Sequence, residues 1–379
     1  MAKALKARQN DILEANTLDL EISREMAVPD VVLDWLKLTP ERLQAAVQLL
    51  VSLAEQPDPI QQALQVPFQV EQCQVYAQCT PLGVISLVYE AFPELGAIAA
   101  GFCLRTANSL ILRGGSEASH SNRTIVETLQ SALHEVSFPV GTVELLPSDQ
   151  GDVLREFLTQ DQVIKLVIPY GRPSLVQQVA RQTTIPLIKP SIGNCHLYWS
   201  ASGRLDTVRW MILESHRSEP DAVNAIEKVL IHRKHFTSSL ALLITTLLEK
   251  GFTLKGEAEA VEQFSEITLM VPEEWRQCYL NKTIAFKVVD SLEEAIAWMN
   301  QYSNGHANSL ATESYSESYE FSQKVDSATI YINTSPRFYR NPKPGAPLAL
   351  GMCGQSPLFR GFIGLNALTT TKHVIHGNH

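Results

Sequence analysis

Six cysteines and ten histidines are the side chains of this 379-residue sequence with the widest chemical range. The thiols stand at 73, 79, 103, 195, 278 and 353, with no Cys-x-x-Cys pair. In a chain this long, such scatter fits reduced thiols better than a disulfide framework or a zinc site, and it predicts a cytoplasmic protein. His373, His376 and His379 gather near the end without a matching carboxylate or cysteine set. They read as surface residues, and no metal site is expected. Cys103 lies in an apolar helical run and reads as core. Cys353 lies in the Pro- and Gly-rich stretch 336–357 and reads as exposed. Trp35, Trp199, Trp210, Trp275 and Trp298 fall at helix or strand positions, which predicts core packing over a stacking platform.

The elements that must position these groups begin with helices over the first 65 residues. Thr39-Pro40-Glu41 is a helix-start signal with proline in the first turn. Leu43, Val47, Leu50 and Leu53 then repeat at helical spacing. From Phe68 the texture changes, and 69–78 alternates as a strand or hairpin would. Strands are expected at 84–89, 108–113, 142–146, 163–168 and 185–188, with helices at 95–104, 125–133, 149–158 and 173–182. The second half continues the alternation. Its helices are expected at 205–214, 237–249, 291–299 and 315–324, the third opened by a Ser291-x-x-Glu294 capping box. Its strands are expected at 225–231, 251–255, 284–289, 309–311 and 328–333. Alternating strands and helices predict an α/β protein with mostly parallel sheets and right-handed crossovers. Two lobes with a cleft between them are expected, the chain crossing near 189–195. Ligands of parallel sheets sit at the carboxyl ends of the strands, which points to the loops 90–94, 113–118, 147–150 and 169–173.

Composition narrows the function classes. Hydrophobic residues are 45% of the chain, enough for a packed core. Lys+Arg 31 against Asp+Glu 40 gives a formal charge of -9, which argues against a protein that grips nucleic acid or anionic membrane. No apolar run approaches the roughly 20 residues that span a bilayer, and the charged N-terminus lacks a secretory h-region.

Several segments together resemble the gamma-glutamyl phosphate reductases of the aldehyde dehydrogenase superfamily. They are Tyr89-Glu90-Ala91, Leu104-Arg105-Thr106-Ala107-Asn108 running into Leu110-Ile111-Leu112-Arg113-Gly114-Gly115, Gly193-Asn194-Cys195-His196-Leu197-Tyr198, Val288-Val289-Asp290-Ser291-Leu292, Tyr331-Ile332-Asn333 and Gly364-Leu365-Asn366-Ala367-Leu368-Thr369-Thr370. The resemblance is collinear from about residue 10 onward. It implies a Rossmann-like cofactor domain over 1–190 that carries an oligomerisation hairpin at 66–80. A catalytic-type α/β domain over 191–350 follows, then a return to the cofactor domain and an oligomerisation tail over 351–379. It implies NADP as cofactor and a small anionic, glutamate-derived substrate. The family reaction is reduction of glutamyl 5-phosphate to the semialdehyde with release of phosphate, in proline biosynthesis. It also implies a homo-oligomer, dimer or tetramer, or association with an active relative.

The family mechanism needs a thiolate that attacks the acyl phosphate and leaves a thioester for hydride reduction. The resemblance places that cysteine at Val223, within Glu219-Pro220-Asp221-Ala222-Val223-Asn224. A valine does no covalent catalysis, although Asn224 keeps an amide that could hold an oxyanion. Other matched positions differ as well. Ser116 follows Arg113-Gly114-Gly115 where the family carries lysine, so a ribose contact remains and a positive charge does not. Phe92 follows Glu90-Ala91 where the family carries arginine, and Glu219 replaces a basic residue. Pro169-Tyr170-Gly171-Arg172 replaces Pro-Arg-Gly-Gly, and 344–350 lacks the family's acidic residue. The resemblance assigns Arg113, Gly114, Gly115, Ser116, Pro169 and Gly171 to cofactor, and Glu90, Phe92, His306 and Arg337 to substrate. Cys195 is the alternative thiol, against the plainer reading of a small buried hydrophobe. His306 reads equally as a turn residue bonded to backbone, and Arg337 equally as a structural ion pair.

Overall fold

The computed structural model describes residues 1–147, 151–217, 220–340, 347–354 and 359–377, with 151–153 described by backbone alone. Contacts divide the chain into two units. Unit 1 holds Met1–Pro190, Arg340–Gly351 and Phe362–His379; unit 2 holds Ser191–Tyr339 and Met352–Gly361. A single return at 351 was expected; by these bounds Arg340–Gly351 counts with unit 1 and Met352–Gly361 with unit 2.

Unit 1 opens with helices α1 (Ala2–Ala7), α2 (Gln9–Glu25), α3 (Asp30–Leu36) and α4 (Pro40–Glu55). Thr39 Oγ1 accepts the Arg42 N–H at 3.3 Å, so the start signal acts as a side-chain cap. The periodic face of α4 buries Leu43, Val47, Leu50 and Leu53. Next come β1 (Ala63–Leu64), β2 (Cys73–Pro81), β3 (Val84–Tyr89), α5 (Pro93–Arg105), β4 (Ser109–Gly114), α6 (Ser119–Glu135), β5 (Val143–Leu145), α7 (Gly151–Phe157), β6 (Ile164–Tyr170) and α8 (Pro173–Gln182). Strands β5-β4-β3-β6 form a four-stranded parallel sheet. The central strand β3 buries both faces, as its unbroken apolar run demands. Cys103 is buried in α5, and burial pushes its thiol up to about 12.

Unit 2 contains β7 (Cys195–Trp199), α9 (Leu205–Ser215), β8 (Ile226–His232), α10 (Ser238–Glu249), β9 (Thr253–Gly256), α11 (Ala258–Gln263), β10 (Thr268–Leu269), β11 (Thr283–Val289), α12 (Leu292–Tyr302), β12 (Asn308–Ala311), α13 (Tyr315–Lys324) and β13 (Ile330–Ile332). These strands make a seven-stranded parallel sheet in the order β10-β9-β11-β8-β7-β12-β13. Alternation sorts the side chains. Leu197, Trp199, Val229, Ile231 and Phe286 join residues of α9 and α10 in one core, while Tyr198, Leu230 and Leu310 join residues of α12 and α13 in another. Ser291 Oγ caps α12 by accepting the Glu294 N–H at 3.2 Å.

The closing strands are β14 (Met352–Cys353), β15 (Gly361–Phe362) and β16 (Thr369–Gly377). β16 pairs antiparallel with β2 along its full length, from Thr369↔Pro81 to Gly377↔Cys73, and β1 flanks β2 on its other side. The expected 66–80 hairpin is thus corrected. Residues 66–72 are outside any strand, and the main partner of β2 comes from the other end of the chain. The expected strand at 185–188 is reduced to a single bridge, Val167↔Leu187. Cys353 is buried, and Trp210, at 48% exposure, is the tryptophan that departs from the core expectation. Among the described residues no helix is long and apolar enough to cross a membrane.

Candidate functional site

The residues matched to nucleophile, alternative thiol and substrate histidine come together at the amino ends of unit 2's strands. The turn at 223–224 leads into β8, Gly193-Asn194 leads into β7, and His306 precedes β12. Val223 is fully buried. Its carbonyl accepts the Gly193 N–H at 2.9 Å and the His306 Nε2–H at 2.9 Å. His306 Nε2 also lies 3.2 Å from Cys195 Sγ. The carbonyl assigns the proton to Nε2, since only a donor can bond it. Burial pulls His306 down to about 4, and the Val223 carbonyl opposes that only in part. A neutral ring whose facing nitrogen already holds its proton cannot take one from the thiol. Burial, and then the Glu227 carboxylate, pushes Cys195 well above the ordinary thiol range. Cys195 is an un-ionised thiol without a base, which is the small-hydrophobe reading.

Asn224 is buried, and its Nδ2 donates to the Pro336 carbonyl at 2.7 Å, with Tyr331 Oη at 3.5 Å. The amide hydrogens expected to serve an oxyanion are thereby directed at the Pro336 carbonyl and the Tyr331 hydroxyl. Its Oδ1 and the Nδ1 of His306 are buried without a partner among the described residues. Arg337 resolves to the structural reading. It donates to Glu214 Oε1 at 2.6 Å and to the Arg217 carbonyl at 3.1 Å. Glu219 lies outside the described residues.

Sequence reasoning missed Glu227 and Lys228, which are both buried. Glu227 is the extra residue where the β7–β8 register slips between Cys195↔Ile226 and His196↔Lys228. Its carboxylate accepts the N–H groups of Asn194 at 2.8 Å, Tyr279 at 2.9 Å and Leu280 at 3.0 Å. Asn194 and Leu280 both have left-handed backbone, φ 54° and 59°, so one carboxylate steadies two strained turns. Burial lowers Lys228 to about 8, and its Nζ sits 3.6 Å from the centre of the Tyr279 ring. The available signal was a Glu-Lys pair interrupting the apolar run 226–231.

The residues matched to cofactor lie in unit 1, at the carboxyl ends of its sheet. Glu90, expected to meet substrate, is bound to Arg172. Arg172 Nη2 donates to Oε2 at 2.9 Å and Nε to Oε1 at 3.1 Å, while the Arg172 backbone N–H also bonds Oε1. Gly171 is required there, because its φ is +151° and a Cβ would sit 2.5 Å from Glu90 Cγ. Phe92, expected at the substrate, is placed by the structure among core side chains. It is buried, stacked on Trp35 at 4.9 Å and edge-on to Tyr170 at 5.4 Å. Pro169 belongs to β6, paired with Val88. Arg113 Nη1 donates to the Gly114 carbonyl at 2.6 Å. Ser116 is exposed. Glu117, not singled out in sequence, accepts the Ala91 N–H at 2.7 Å, and a Cβ on Gly115 would fall 2.1 Å from its Oε1. Burial raises the Glu117 carboxyl above its usual range. Asp19 of α2 caps α6, accepting the N–H groups of His120 at 3.0 Å and Ser121 at 2.7 Å. Among the described residues no three His, Cys, Asp or Glu side chains gather as a metal site would need.

No family model matches the chain. Whole-chain comparison does. Gamma-glutamyl phosphate reductase 2 of Synechocystis is 49% identical over 378 residues, covering 100% of this chain and 90% of that protein. The chain belongs to the gamma-glutamyl phosphate reductase family. The reductase of Gloeobacter violaceus is 36% identical over the same span, with 90% of its own length covered. The crystal structure of the Thermotoga maritima reductase superposes with a TM-score of 0.90 at 30% identity, covering 100% of this chain and 91% of that one. A probable aldehyde dehydrogenase from Listeria monocytogenes shares the fold, with a TM-score of 0.71 at 14% identity. The α/β aldehyde dehydrogenase-like architecture is that of the family, down to its parallel sheets.

Proposed function

We propose that this chain is a non-catalytic member of its family, keeping the scaffold as a binding or partner subunit without the acyl-phosphate reduction of its relatives. The observation that carries the reading is Val223, a buried valine at the position the resemblance gives to the nucleophile. Cys195 supports it, since its thiol is buried, un-ionised and faced by a protonated nitrogen. Removing a catalytic nucleophile costs several orders of magnitude, because the remaining groups only position and polarise.

The competing reading, a working reductase, has the relatives' names behind it. Purified protein given glutamyl phosphate and NADPH separates the two. Phosphate release far below a typical enzyme rate of about 10 per second is expected. Turnover at that rate would overturn the proposal, and Cys195→Ala would then show whether Cys195 had taken over. Val223→Cys alone should leave the rate well short of normal, because the amide of Asn224 stays engaged with Pro336.

The same proposal makes the protein oligomeric. β16 is an edge strand whose residues are largely exposed, with Ile375 at 52%, and such edges are usually paired or covered. Sedimentation at micromolar concentration should show a dimer or larger species; a monomer would refute this part. Mass analysis of co-purifying chains distinguishes self-association from pairing with an active relative.

A further inference from the structure

We propose that unit 1 does not seat the phosphates of a dinucleotide at the carboxyl ends of β3, β4 and β6, because carboxylates of this chain already hold the backbone N–H groups there. Phosphate recognition in an open parallel sheet relies on those N–H groups, at the helix starts that follow the strands. In each of the three loops a carboxylate takes at least one of the backbone N–H groups. After β3, the Ala91 N–H goes to Glu117. After β4, the His120 and Ser121 N–H groups go to Asp19. After β6, the Arg172 N–H goes to Glu90.

The remaining features close the same positions. Helix α5 begins with Pro93, which has no N–H, and Glu94 is buried in its first turn. Glu94 is held by Arg42, whose Nε donates to Oε1 at 3.0 Å. Arg172 is bidentate to Glu90. Arg340 donates to Tyr170 Oη and lies over the Phe92 and Tyr170 rings, and Arg113 bonds the Gly114 carbonyl. An incoming phosphate would have to displace a carboxylate and then remain beside it. The group implied by the family therefore does not fit these residues as they stand. The inference is independent of position 223, since restoring a thiol in unit 2 changes none of these bonds.

Equilibrium dialysis of the full chain against NADPH, and separately NADH, tests it. No saturable binding is expected up to about 1 mM. Glu117→Gln keeps an oxygen for the Ala91 N–H, removes the charge and adds a donor. Combined with Asp19→Asn, it should bring saturable NADPH binding at least roughly tenfold tighter than that limit. Saturable binding of either dinucleotide by the unaltered protein would overturn the proposal, with no variant needed. Folded variants, verified by near-ultraviolet dichroism, that bind no better than the unaltered chain would overturn it equally, because the carboxylates would then not be the barrier. Trp35, stacked on Phe92 beside the site, supplies a second readout through its fluorescence.

Discussion

The carboxyl ends of unit 1's sheet and the amino ends of unit 2's sheet differ in what fills them. In unit 1 the ligand-facing loops are full of charge, with Glu90, Glu117 and Asp19 bonded to the N–H groups around them. In unit 2 the turn at 223–224 is apolar: a buried valine offers its carbonyl to a neutral histidine, which faces a buried thiol. Both keep a well-bonded backbone, including the Gly193 contact to the Val223 carbonyl and the glycine at 171. The contrast shows two ways in which loops on one architecture can differ, in which backbone donors a carboxylate occupies and in which side chain stands at a single turn. Neither difference needs a change of architecture.

Acid should separate the two units most. His196, His216 and His306 of unit 2 are all held neutral by burial, the last two down to about 4. Below the ordinary histidine value the unfolded chain takes protons that folded unit 2 refuses. Stability is therefore lost as pH falls from 6.5 toward 4. Each of these two rings contributes roughly 3 kcal/mol when the loss is complete. Burial raises Glu117 in unit 1 and Glu227 in unit 2, so protonating either as pH falls relieves a buried charge and acts in the opposite sense; the histidines set unit 2 apart. Hydrogen exchange across that pH range should show unit 2 opening first; simultaneous opening would break the comparison. Within unit 1, Arg42→Ala leaves Glu94 buried and unpaired, and should cost about 3 kcal/mol in urea unfolding. Gly115→Ala drives a Cβ against Glu117 and strips the Ala91 N–H of its partner, for about 1–2 kcal/mol. Arg337→Ala in unit 2 removes a partly exposed ion pair and should cost about 1 kcal/mol or less, with no change in any ligand assay. A large loss there would return Arg337 to the list of site residues.

Most of the architecture was legible because periodicity reports burial directly. The helix over Tyr315–Lys324 and the strand over Val84–Tyr89 match their expected bounds, since both stand between clear stop signals. The short pieces α11 and β10 were not anticipated, because two to six residues carry too little periodicity. The hairpin at 66–80 misled because local alternation marks a strand without saying which distant segment will pair with it. At the site, the valine at 223 was readable from a single position. The fates of Glu90, Phe92 and Arg337 were not, since a side chain's partner is a fact of tertiary structure: Arg172, Trp35 and Glu214 respectively. His306 had two readings in sequence, and the Val223 carbonyl assigns it to backbone bonding.

The pairing of Cys73–Pro81 with Thr369–Gly377 also sets an order of assembly. Asn108 joins the same closure, its Nδ2 donating to the Leu368 carbonyl at 2.7 Å. On the ribosome, every residue of unit 2 is made before β16 emerges. Unit 2 can thus bury its core while β2 still waits with an open edge. Contacts of such separation form slowly, because a long loop must close before they contribute. The time between the two events is when a neighbouring chain's β16 could pair with this β2, so the same strand that completes the monomer is also its natural point of exchange.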